Sequence, residues 1–142
     1  MVEVVVDPTS LVRGQSGSIT GFVFLRSPLG TYPEAHWSDF PVVVLTWWIQ
    51  GLHEVVAGRE PAFTGHFMDG PFSFTVRHVL GSTAEISWRA GENPQKSQAT
   101  DLRSLLVSAA VAGSAVAQAC RRNGWSSRDV HALEQALAEV AA

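Results

Sequence analysis

The sequence predicts an α+β fold: an antiparallel sheet of four to five strands packed against three helices, in the order ββαβββαα, as one domain over residues 1–142. Three patterns carry that expectation. Phe72, Phe74 and Val76 alternate with Ser73, Thr75 and Arg77, the two-residue period of a strand with one buried face. Leu45, Trp48, Ile49, Leu52, Val55 and Val56 recur at three and four residues, which is helix spacing. The same spacing returns in Leu102, Leu105, Leu106, Ala109, Ala112, Gly113, Val116 and Cys120, and again in Val130, Leu133, Leu137 and Val140. Runs of strands interrupted by one helix and closed by two favour antiparallel pairing with helices laid against the sheet.

Taken in order, Val2 to Val6 is a β-branched run stopped by Asp7-Pro8 and reads as the first strand. Thr9 to Gly17 has no period and reads as loop. Ser18 to Arg26 is a second strand, apolar on both faces (Phe22 and Phe24 against Ile19, Val23 and Leu25), so a central position covered from two sides is expected. Ser27 to Ser38, with two prolines and a glycine, reads as an exposed loop. The first helix spans Asp39 to Gly58, with Asp39 as N-cap, Pro41 in the first turn and Gly58 as the C′ residue.

Phe63 to Met68 and Phe72 to Leu80 form a hairpin about Asp69-Gly70, and Gly81-Ser82 turns the chain into a strand from Thr83 to Arg89. Ala90 to Ala99 is the most polar tract and reads as a mobile loop. Thr100 or Asp101 caps the second helix, Asn123-Gly124 ends it, and Ser126 with Asp129 caps the third.

Composition excludes several classes. Charged residues are 16% of the chain against about a quarter in ordinary globular proteins, and the formal charge is -3. Nucleic-acid binding needs clustered basic groups, and the only adjacent basic pair, Arg121-Arg122, sits where it favours the end of a helix dipole. Cys120 is the only cysteine, which suits a reducing, cytoplasmic setting. The N-terminus lacks the pattern of a signal peptide, and the Ala-rich tract Leu105 to Cys120 is shorter than the roughly 20 apolar residues of a membrane span. It reads as a buried helix. Neither a phosphate-binding loop nor a dinucleotide fingerprint is present, and no cofactor is expected.

Two sets of residues are candidates for function. His36 and Asp39, and His66 and Asp69, each pair a histidine with an aspartate three residues on. Brought together, they would offer two imidazoles and two carboxylates for a ligand, a divalent metal or acid/base work. Left apart, Asp39 caps a helix, Asp69 makes a turn and the histidines are surface residues. The second candidate is Trp47. Successive helical residues point about 100° apart, so Trp47 cannot share the core stripe of Trp48. It falls beside Val43, Gln50 and Glu54, either under a covering loop or exposed as a partner contact with Gln50 and Glu54. Cys120 on an apolar helix face reads as a small hydrophobe, and Gly14-Gln15-Ser16-Gly17 as a loop without the strand and helix of a nucleophile elbow.

The stretch from Trp37 through Phe40-Pro41-Val42-Val43-Val44 to Trp47-Trp48-Ile49-Gln50-Gly51-Leu52, then Phe67-Met68-Asp69-Gly70-Pro71-Phe72, resembles small bacterial single-domain proteins. Some of these are similar to immunity proteins that neutralise secreted toxins. Cys120-Arg121-Arg122-Asn123-Gly124-Trp125 after an Ala-rich helix adds to the likeness, which covers about half the chain. The resemblance implies a non-enzymatic, single-domain binder, whose partner would be another protein or a second copy; charge and hydropathy, as above, argue against nucleic acid and membrane. It assigns no binding residues.

Overall fold

The computed structural model describes residues 1–142, apart from the side chain of Gln95. The fold is α+β with three helices, as the periodicity predicts. Its strands, however, divide between two antiparallel sheets and do not join in one.

The first sheet is built around β3 (Ile19–Ser27). β1 (Glu3–Val6) and β4 (Gly30–Tyr32) both pair with Leu25 and Arg26, so they lie on opposite sides of β3. The chain beyond each returns to β3 in a second short piece, β2 (Val12–Arg13) after a 3₁₀ turn at Pro8–Ser10, and β5 (Ser38–Asp39). Pro8 and Pro33 fall in the gaps, where a residue without an N–H cannot extend a ladder. Ser10 Oγ fills one gap by accepting the Phe22 N–H at 2.9 Å, and the Trp37 carbonyl fills the other by accepting the Val23 N–H at 2.9 Å. Stretches expected as plain loops, Thr9 to Gly17 and Ser27 to Ser38, are thus partly strand. Their pairing depends on β3, far along the chain, and leaves no local period. The expectation that β3 is central is met.

The second sheet is a meander of β6 (Ala62–His66), β7 (Phe72–Leu80), β8 (Thr83–Ala90) and β9 (Asn93–Asp101). The hairpin about Asp69-Gly70 forms as predicted, with Gly70 at φ 73°. β9 corrects the mobile loop expected at Ala90 to Ala99. It pairs with β8 from Thr83↔Asp101 to Ala90↔Asn93, with an irregularity between Ser87 and Arg89. Gln98 and Thr100 lie opposite Ile86 and Ala84, so polar residues occupy the core-facing positions and no alternation marks the strand.

Helix α1 (Pro41–Val56) buries Leu45, Trp48, Ile49, Leu52 and Val55 in the phase predicted, and Gly58 follows its end at φ 78°. Its N-cap is Phe40, which makes no side-chain cap bond, and Asp39 is displaced to β5. α2 (Leu102–Arg122) is capped by Asp101, whose carboxylate accepts the Ser104 N–H at 2.9 Å. α3 (Arg128–Ala141) is capped by Ser127, one residue later than expected. α2 is long and apolar enough to cross a membrane by length and composition alone, but here its stripe from Leu102 to Cys120 lies in the core beside α1, α3 and β1. Gly113 permits the approach: a Cβ there would stand 2.8 Å from Ile49 Cδ1. Ser108 Oγ of α2 accepts the Val4 N–H at 2.8 Å, which satisfies the side of β1 turned away from β3. One contiguous apolar core runs through both sheets and all three helices.

Candidate functional site

The segments carrying His36–Asp39 and His66–Asp69 do meet, and Asp39 is what joins them. Its side chain is 2% exposed. Oδ1 accepts the N–H groups of Phe40 at 2.7 Å and Met68 at 3.1 Å. Oδ2 accepts the indole Nε1–H of Trp37 at 3.0 Å and the Asp69 N–H at 3.1 Å. A carboxylate offers about four lone-pair positions, and four donors occupy them. These four hydrogen bonds leave neither buried oxygen without a partner.

The other three residues of the set are not gathered round it. His36 is exposed in the left-handed region at φ 60°, and its ring lies 5.3 Å from that of Phe22 and 6.2 Å from that of Phe24. It covers the second face of β3. His66 is exposed at the end of β6 opposite Ser73, and its carbonyl accepts Trp48 Nε1–H at 3.1 Å. Asp69 is exposed in the hairpin turn and uses its backbone N–H. No group of three or more His, Cys, Asp or Glu side chains that could hold a metal occurs among the described residues. Cys120 is fully buried, and burial pushes its thiol pKa up, away from the reactive thiolate.

Trp47 has a different setting. Trp48 is 0% exposed, with its ring against Phe67 and Phe74, whereas Trp47 is 45% exposed. The loop at Ser27 to Ser38 does not cover it. Of the five indoles, Trp48 and Trp88 are buried and Trp37 and Trp125 half-buried, so Trp47 is the one turned to solvent. One turn earlier, Val43 lines a cleft of about 320 Å³ with Phe40, Met68, Ser127 and Asp129. Towards the helix end, Gln50 and Glu54 line another of about 520 Å³ with His53, Arg59 and Val140. Trp47 therefore stands between two clefts at the α1–α3 seam. Gln50 is exposed, and Glu54 hydrogen-bonds to Arg59, which holds its carboxyl below its ordinary pKa. Met68 is exposed as well, and nothing in the sequence marks it. Its proximity to Val43 follows from the Asp39 bonds, which no local pattern reveals.

The chain matches no protein-family model, no curated protein and no solved structure.

Proposed function

We propose that this chain is a non-enzymatic protein-binding domain that holds its partner on the outer ridge of α1. The observation that carries the reading is Trp47, a large amphipathic side chain left 45% exposed on a helix whose next residue is fully buried. Tryptophan is a common energetic anchor of interfaces, where it fills a partner's pocket while a polar rim excludes water. Val43 and Met68 extend the apolar strip, and Gln50, Glu54 and Arg59 supply such a rim. The finer reading is an immunity-type protein that neutralises a toxin in the cytoplasm. A reducing compartment suits its single, buried cysteine.

The competing reading, a ligand or metal site at His36, Asp39, His66 and Asp69, has less support, because the Asp39 carboxylate already holds four donors.

Sedimentation of purified wild type and Trp47→Ala tests the surface. A second copy as partner gives a concentration-dependent dimer that the variant loses. An unlike partner leaves the chain monomeric, and the wild type should then co-purify with, and protect cells against, a toxin encoded beside it, while Trp47→Ala does neither. A folded Trp47→Ala that keeps every interaction of the wild type removes the ridge from consideration.

A further inference from the structure

The β3–β4 hairpin and the second sheet leave a cavity of about 390 Å³ between them, which shares no lining residue with the α1 ridge. Its inner wall is aromatic. Tyr32 and Trp88 are both buried, with ring centroids 4.8 Å apart. The Tyr32 hydroxyl donates to the Arg89 carbonyl and has the Ser73 carbonyl at 3.1 Å, so the ring is tethered to β7 and β8. Leu29, Thr31 and Lys96, all exposed, form the mouth.

Lys96 is the only lysine of the chain and takes no part in the three ion pairs among the described residues. Apolar walls with a few polar groups and one charge are what small-molecule sites present.

We propose that this cavity binds a small aromatic carboxylate, its ring against Trp88 and Tyr32 and its carboxylate on the Lys96 ammonium. The aromatic wall selects a planar ring, through offset or edge-to-face contact. One cation at the mouth selects a single negative charge. A compact ammonium on a flexible stem can follow the carboxylate of ligands of different length. This site goes beyond the protein-binding reading and does not depend on it.

The single lysine makes the test direct. Selective isotope labelling of lysine in the full chain yields one side-chain signal, that of Lys96, to follow while naphthylacetate is added. A saturable shift is expected. Naphthylacetamide, of the same shape without the charge, should bind about tenfold more weakly. In Lys96→Met, followed by tryptophan fluorescence, acid and amide should bind alike. Lys96 is exposed, so the variant should fold. Trp47→Ala should leave naphthylacetate binding unchanged, which separates this site from the α1 ridge. Absence of saturable binding, equal binding of acid and amide to the wild type, or a preference for the acid that survives in Lys96→Met would each overturn the proposal.

Discussion

Asp39 Oδ2 accepts the backbone N–H of Asp69 at 3.1 Å, which ties the entry to α1 to the turn of the β6–β7 hairpin. Oδ1 does the same for Met68, and Phe40 and Trp37 complete the set. Asp39→Ala would strand these donors in a buried place and should destabilise the fold by about 3 kcal/mol or more. Asp39→Asn keeps one acceptor oxygen but turns an NH₂ towards the other two donors, and should lose most of the same stability. Urea unfolding measures the loss. Hydrogen exchange should show the Met68 and Asp69 amides losing protection first, and an Asn variant as stable as the wild type would show that the charge is not needed.

Trp47 and Trp48 form an internal control. Trp48→Ala empties a fully buried site and should cost about 3–5 kcal/mol, enough to unfold many small domains. Trp47→Ala should cost about 1 kcal/mol. Equal and large losses in denaturant unfolding would place both indoles in the core, and equal small ones would contradict the helix phase.

Gly51 sets how closely α1 approaches β6. A Cβ there would lie 2.0 Å from Phe63 Cδ1, far inside contact distance. Alanine favours a helix over glycine by about 1 kcal/mol, yet the overpacking should cost about 1–3 kcal/mol. Gly51→Ala should therefore be neutral to destabilising. A variant that gains stability would mean that Phe63 moves aside freely.

Asp101 gives a pH dependence of known sign. Hydrogen bonds from the Ser104 N–H and the Ser82 hydroxyl hold its pKa below the ordinary value of 3.8. Its contribution to stability is therefore fully present above that value and lost as pH falls through the lower, folded-state value. Asp101→Asn keeps an acceptor for the α2 cap but does not titrate. Its acid unfolding profile should be shallower at the low-pH end, with stability near neutrality largely retained. Identical acid limbs for variant and wild type would show that the cap carboxylate does not contribute.

Local chemistry made much of this fold legible. The α1 phase was readable because burial of Trp48, Ile49, Leu52 and Val55 imposes its own period. The hairpin was readable because Gly70 adopts a positive φ that Asp-Gly turns favour. The α2 cap was readable to within one residue, Thr100 or Asp101, because both stand directly before the apolar stripe, and the structure gives it to Asp101. Asp39 has the look of a cap for the same reason, an acidic residue two places before Pro41, and only the hairpin, some thirty residues on, draws its carboxylate elsewhere.

By itself, then, the sequence determined the α+β class, three helices, the core stripe of each and the place of Trp47 off the α1 stripe, while its exposure was left to the tertiary structure. These follow from repeating side-chain patterns within single elements. Tertiary structure alone decided the division into two sheets, the strand β9, the junction at Asp39 and the meeting of Tyr32, Trp88 and Lys96. Each of these joins residues far apart in the chain through backbone hydrogen bonds or one-to-one side-chain contacts. Such contacts repeat at no interval and leave no periodic trace.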